Sequence, residues 1–319
     1  MAYYQLNVLH DFQLAKSTFE LVGKLLPSSS DVLRALGLIA SVEGRWDESV
    51  AYFEQALALD PHNVELLTHA AWTYAMLRQF PAAVKVYDRA LDITPNNADV
   101  MAAKATIYQA EGNLEQAGGL LLEINGQTAK EDTFQIKVTQ LRLERNYAEA
   151  VRLLQSRLAQ FRFTSWNDKG GEQASLAFIQ RLAGDTVDAK VAAKEACNTF
   201  EPIYRDQPDN AVITGSLSLA YASMGEKDSA LKAGERAIML MRRPNMLFGP
   251  TLEENLALIQ TIFGENSRAI STLTKLLQTP YTSWYTTTPI TPALLRLDPI
   301  WDPLRADPAF QKLCEEKQP

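Results

Sequence analysis

Residues 30–63 read SDVLRALGLIASVEGRWDESVAYFEQALALDPHN, and residues 64–97 read VELLTHAAWTYAMLRQFPAAVKVYDRALDITPNN. The two stretches are 34 residues each and align without a gap. Small or aromatic residues recur in register: Leu36/Ala70, Gly37/Ala71, Ser49/Ala83, Phe53/Tyr87, Ala56/Ala90 and Pro61/Pro95. Gly37, Ala71, Ala56 and Ala90 let helices approach closely, and Phe53, Tyr74 and Tyr87 fill the gaps between them. Pro61 and Pro95 lack the N–H that would continue a helix and bias the preceding residue away from α conformation, so each closes a unit. The pattern predicts two consecutive helix pairs, stacked in register.

The period extends beyond this stretch. The small residue that opens each second helix recurs at Ala15, Ser49, Ala83, Ala117, Ala150, Ala189, Ala230 and Ala269, at spacings of 34, 34, 34, 33, 39, 41 and 39. Gly44, Gly112, Gly184, Gly225 and Gly264 sit five positions upstream, at the turn between helices, where φ > 0 is cheap for glycine. The later units are longer, with one extended second helix over 185–205. The middle units are degenerate, because Ile124 and Arg157 stand where a small residue is expected.

These residues resemble the tetratricopeptide repeat, over roughly residues 1–280. The resemblance implies an all-α, right-handed superhelix, an α-α solenoid of about eight helix pairs. Each amphipathic pair buries its apolar face only against its neighbours. Residues 281–319 break the period with Pro289, Pro292, Pro299, Pro303 and Pro308. Thr291-Pro292 and Asp307-Pro308 read as an N-cap followed by proline at the first helical position. Leu294, Leu295, Leu297, Ile300, Trp301, Leu304 and Phe310 can then cover the last repeat, making this segment a C-terminal helical cap. The tail also resembles that of large bacterial signalling proteins carrying a serine/threonine kinase, nucleotide cyclase or winged-helix domain. That likeness implies a C-terminal interaction or sensing arm.

At the other end the first unit is incomplete. Tyr3, Tyr4, Leu6 and Val8 are apolar for a solenoid cap, so a longer polypeptide is expected, against the alternative of a short terminal repeat.

The remaining composition narrows the function. In 319 residues there are 31 Lys+Arg and 38 Asp+Glu, a formal charge of −7, which argues against a phosphate-binding surface and so against a nucleic-acid partner. No run of 18 apolar residues suggests a membrane span, and no signal peptide is recognisable, so a cytoplasmic location is expected. Cys197 and Cys314 lie far apart and read as buried or idle thiols. His10, His62 and His69 form no HExxH, and neither a Cys-x-x-Cys, an EF-hand loop, a P-loop nor G-x-S-x-G occurs. Asp298, Asp302 and Asp307 are read as helix caps rather than calcium ligands. The expectation is a non-enzyme with no cofactor and no metal.

In a tetratricopeptide stack the first helices line a concave groove. The repeat frame places Arg34, Leu38, Ser41, Thr68, His69, Trp72, Met76, Thr106, Gln109, Gln135, Thr139, Arg142, Phe178 and Arg181 on that face. Arg34, Leu38, Thr68, His69, Trp72, Met76, Thr106, Gln135, Thr139, Arg142, Phe178 and Arg181 are the candidate partner-binding residues, and Tyr4 extends the surface. A carboxylate clamp is not reproduced at Arg34, Leu38, His69 and Ala103. An asparagine ladder is missing at Ala35, His69, Ala103, Ile136 and Ser175. Trp72 either anchors a partner or packs as core, and Phe178 with Arg181 carries the same ambiguity. The leading expectation is a protein or peptide partner in the groove. A homo-oligomerisation module is second, and a small-molecule receptor is a distant third.

Overall fold

The computed structural model describes residues 12–26, 28–125, 130–241 and 245–316. Tyr3, Tyr4, Leu6, Val8, His10 and the Arg242-Arg243 pair lie outside the described residues. The chain is an all-helical solenoid. Its helices are α1 (Phe12–Leu25), α2 (Ser30–Val42), α3 (Trp46–Leu59), α4 (Val64–Met76), α5 (Phe80–Ile93), α6 (Ala98–Glu111), α7 (Leu114–Leu121) and α8 (Glu131–Leu143). They continue with α9 (Tyr147–Gln160), α10 (Trp166–Leu182), α11 (Thr186–Asp206), α12 (Ala211–Met224), α13 (Lys227–Leu240), α14 (Gly249–Ile262) and α15 (Asn266–Leu276). After an irregular segment come α16 (Pro292–Leu297), a 3-10 helix (Pro299–Leu304) and α17 (Pro308–Glu315).

The small-residue series is reproduced in the packing. Each member is the fourth residue of its helix, from Ala15 in α1 to Ala269 in α15, and all are at most 1% exposed. The close approach is real at Gly37, where an added Cβ would sit 3.0 Å from the Phe53 ring. Asparagine sets the start of several first helices: Asn63, Asn97 and Asn210 each accept from backbone N–H groups in the following turn. The long second helix expected over 185–205 is α11, capped by Asp185. Both Cys197 and Cys314 are buried free thiols, and burial pushes the Cys197 thiol up to about 11.

The turns within the helix pairs carry one departure from the glycine pattern. Gly44, Gly112, Gly184, Gly225 and Gly264 all adopt positive φ, and the two positions between them in the series are Arg78 and Arg145, each at φ 58°. A Cβ makes that backbone costly by roughly 1–2 kcal/mol. Both arginines reach the same destination, the segment that follows α15.

That segment does more than cover the last repeat. Leu295, Ile300, Trp301, Leu304 and Phe310 do pack with Ala257, Leu258, Ala269 and Leu273 of α14 and α15. Leu294, however, joins a core cluster with Leu67, Met76, Phe80 and Ile107 of the early repeats, as does Leu247 from the α13–α14 connection. Leu297 and Ala293 lie against the Gly112 turn, and Met246 N donates to Val42 O at 2.8 Å. The last repeats therefore meet the first, and residues 276–302 run through the interior between them.

Candidate functional site

The concave face is best built from the contacts its side chains make. Arg78 at the α4–α5 turn donates to three carbonyls of the tail: Leu276 O at 2.9 Å, Thr279 O at 3.2 Å and Ile290 O at 3.1 Å. One turn further, Thr291 Oγ1 donates to Ala110 O at 2.6 Å and accepts from Leu294 N, so one hydroxyl both starts α16 and docks it on α6. On α8, Thr139 Oγ1 and Arg142 Nη2 each donate to Tyr285 O at 2.8 Å. Arg142 also pairs with Asp298 through Nη2–Oδ2 at 2.9 Å and Nε–Oδ1 at 3.2 Å, with both side chains buried. Asp298 Oδ1 accepts from Ile300 N, so the carboxylate that holds Arg142 also caps the 3-10 helix.

From the opposite side α14 holds the same loop. Thr251 Oγ1 donates to Thr282 O, and Tyr285 Oη donates to Asn255 Oδ1, each at 2.5 Å. Asn255 in turn donates to Gly215 O and Ser218 Oγ of α12. Glu254 is buried beside Tyr281, Ser283 and Tyr285. Burial drives its carboxyl up to about 8 against the opposing hydrogen bonds from Ser283 and Tyr281.

The expected groove residues thus divide into three groups. Thr139 and Arg142 hold the tail. Met76 and Thr106 are buried, Met76 in the early core and Thr106 donating to Ala103 O. Arg34, Leu38, Thr68, His69, Trp72, Gln135, Phe178 and Arg181 remain partly exposed. Among these, Trp72 and Leu38 pack their inner edges on the early core. Arg34 bonds Glu65 at 2.7 Å. His69 stacks on Phe53 with centroids 6.0 Å apart. Burial, with Arg34 nearby, holds the imidazole below its ordinary value and therefore neutral near pH 7. Gln135 donates to Glu131 and accepts from Ser175, while Phe178 leans on Tyr285.

Two spaces remain beside the tail. A cavity of about 200 Å³ lies among α8, α10, α12 and the tail, lined by Gln135, Thr139, Arg142, Phe178, Trp284 and Tyr285 among others. A wider crevice of about 620 Å³ opens between the end of α10, α14 and the 3-10 helix, and both Phe178 and Arg181 line it. Among the described residues no group of three His, Cys, Asp or Glu could hold a metal ion, and no helix is long and apolar enough to cross a membrane.

Two functional residues went unread in the sequence, Arg78 and Asn255. Arg78 left one signal, shared with Arg145: an arginine at a turn position where five other units place glycine.

Comparison with known proteins agrees with the helix-pair geometry. Residues 27–98 and 77–140 match two tetratricopeptide repeat families. Human tetratricopeptide repeat protein 7B is 30% identical over 89 residues, 28% of this chain and 11% of that protein. Tetratricopeptide repeat protein 8 of Caenorhabditis elegans is 30% identical over 121 residues, 36% of this chain and 24% of that protein. The matched stretches therefore span a quarter or less of these curated relatives. A tetratricopeptide repeat protein from Parabacteroides merdae superposes with TM-score 0.53 at 17% identity, covering 81% of this chain and 96% of that one. Residues 27–140 are tetratricopeptide repeats, set in an all-helical solenoid of the tetratricopeptide type.

Proposed function

We propose that this chain is a non-catalytic scaffold that binds a protein or peptide partner on its concave face, as one arm of a larger bacterial signalling protein. Tetratricopeptide repeats are generally interaction scaffolds, and one observation supports peptide recognition by this copy. Side chains of the first helices and their turns already grip an irregular peptide segment by its main chain, through Arg78, Thr139 and Arg142. The partner surface is the part of the face the tail leaves open, chiefly Arg34, Leu38, Thr68, His69 and Trp72, with Gln135, Phe178 and Arg181 beyond. Trp72 is its anchor, because a half-buried tryptophan offers large contact area at low entropic cost.

A peptide library selected on the full chain tests this reading. A selected peptide should lose at least tenfold in affinity to Trp72→Ala, while circular dichroism shows the helices intact. Equal affinity for the variant would place the partner elsewhere.

A second reading has its own support. Leu21, Leu25 and Leu26 at the end of α1 are 60%, 75% and 57% exposed, an apolar edge suited to stacking on another helix pair. Light scattering coupled to size exclusion separates the two readings, since a dimer that Leu21→Glu dissociates favours homo-oligomerisation.

A further inference from the structure

Arg181 is the cation in this interior that the fold does not use. Arg78 is bonded to tail carbonyls, Arg142 to Asp298, and Arg145 to Asp302 at 2.6 and 2.8 Å. The guanidinium of Arg181 has no hydrogen-bond or ion-pair partner among the described residues, although it is half-buried at the end of α10. Burial alone pulls it below its ordinary value, with no carboxylate near enough to act against that. A partly desolvated charge without a counter-ion is unfavourable, and such groups concentrate where a ligand supplies the missing charge.

The space in front of it has a definite chemistry. The 620 Å³ crevice falls within the range that holds small molecules. Part of its wall is hydrocarbon, from Phe178, Leu182, Leu258, Ile262, Ile300 and the rings of Pro299 and Pro303, and Arg145, Tyr147 and Thr261 add polar surface. Asn266, at the start of α15, lines it too, and its buried Oδ1 has no hydrogen-bond partner. The one carboxylate in the lining, Asp302, is already committed to Arg145 and Arg305. What is left is one unpaired guanidinium at a crevice with a partly apolar wall; the Asn266 oxygen is an acceptor and calls for a donor, not for an anion.

We infer that this crevice binds a small amphipathic monocarboxylate, its carboxylate on Arg181 and its hydrocarbon body between Phe178, Leu182, Leu258 and Ile262. A single uncompensated guanidinium matches one carboxylate charge. Inorganic phosphate has no hydrocarbon body for the apolar part of the wall, so it is the poorer match. The site shares Phe178 and Arg181 with the far end of the proposed partner face, whereas Trp72, the anchor of that face, lies on the early repeats.

The test is a calorimetric titration of the full chain with a panel of six- to ten-carbon alkyl and aryl carboxylates, 4-phenylbutyrate included, alongside their primary amides. At least one carboxylate should bind saturably at one per chain, and its amide at least tenfold more weakly. Arg181→Gln should lose at least tenfold, whereas Arg152→Gln on the exposed side of α9 should bind as the parent does. Inorganic phosphate at the same concentrations should not compete. Circular dichroism checks the fold of Arg181→Gln, and Arg181→Lys, which keeps the charge, should retain part of the affinity if the glutamine variant unfolds. The inference is overturned if no carboxylate in the panel binds at millimolar concentration, if the amides bind equally, or if Arg181→Gln binds unchanged. None of these outcomes bears on the Trp72 variant, so the two readings fail separately.

Discussion

Arg78 Nη2 lies 3.1 Å from the carbonyl oxygen of Ile290, a residue 212 positions further along the chain. The contact is made from a left-handed backbone, φ 58°, at a turn where other repeats use glycine. Burial draws the guanidinium down to about 10, still charged at neutral pH, and the tail carbonyls around it replace lost water. The repeat carries local strain so that a long-range bond can form.

Two variants of Arg78 separate the strain from the bond. Arg78→Ala keeps a Cβ at positive φ and removes the donors to Leu276, Thr279 and Ile290. It should destabilise the fold by roughly 3 kcal/mol, from the charge-assisted bonds lost and the buried carbonyls left unpaired. Arg78→Gly loses the same bonds but relieves the backbone, so it should be about 1 kcal/mol less harmful than alanine. Thermal denaturation of the three proteins reads this order directly. If alanine and glycine are equally damaging, the backbone at this turn is unstrained.

The Arg142–Asp298 pair fixes the tail more deeply, since both side chains are at most 6% exposed. Asp298→Asn retains a cap for the 3-10 helix but strands a buried guanidinium. The expected cost is about 3–5 kcal/mol, the usual penalty for breaking a buried pair from one side. Arg142→Met strands the carboxylate instead. The double variant should be clearly less destabilised than the sum of the two, and a double-mutant cycle in denaturant measures the difference. Additive costs would mean that the two charges are not coupled.

Much of the fold was legible because its signals are local. The fourth-residue series, the Thr291 and Asp307 caps and the long α11 each depend on neighbours within a few turns, and each stands where the sequence placed it. The path of residues 276–302 was not legible, because a carbonyl that accepts from Arg78 has no side-chain signature. The groove was read as open, whereas Thr139 and Arg142 on that face hold the chain's own loop. The broken glycine series at Arg78 and Arg145 was the available clue, since a Cβ at such a turn calls for compensation elsewhere.

Two buried carboxyls give stability a pH dependence of defined sign. Glu254 is raised from 4.5 to about 8, mainly by burial, and Glu172 to about 9 by burial and by the adjacent Glu131. The folded chain therefore holds protons that the unfolded chain has released, from about pH 4.5 upward. Where the folded state binds more protons, stability falls as pH rises, here through pH 8–9. Glu254→Gln removes one of these groups while keeping an amide that can bond Ser283 and Tyr281. The variant should be more stable than the parent at pH 9, by on the order of 2 kcal/mol, and the gap should close towards pH 5. Melting temperatures of both proteins across pH 5–9 give the comparison, and parallel curves would show that Glu254 titrates normally in the fold.

Arg157 stands where the repeat calls for a small residue, and it is fully buried. Its Nε donates to Glu172 Oε1 at 2.5 Å, and its guanidinium lies 4.4 Å and 3.9 Å from the ring centroids of Phe134 and Phe161. Restoring the usual alanine should therefore harm this copy. Arg157→Ala removes the cation from the rings, opens a cavity and leaves Glu172 buried without its donor, a loss of about 3–5 kcal/mol. Replacing both partners with neutral residues of similar volume is a different matter, because the buried guanidinium is removed and no carboxyl is left without its donor. Arg157→Met with Glu172→Gln should fall within about 1–2 kcal/mol of the parent, and its stability should vary less with pH. Denaturant titration of the single and double variants decides it: a double variant as weak as Arg157→Ala would mean that the ring contacts, rather than the Arg157–Glu172 hydrogen bond, hold this repeat together.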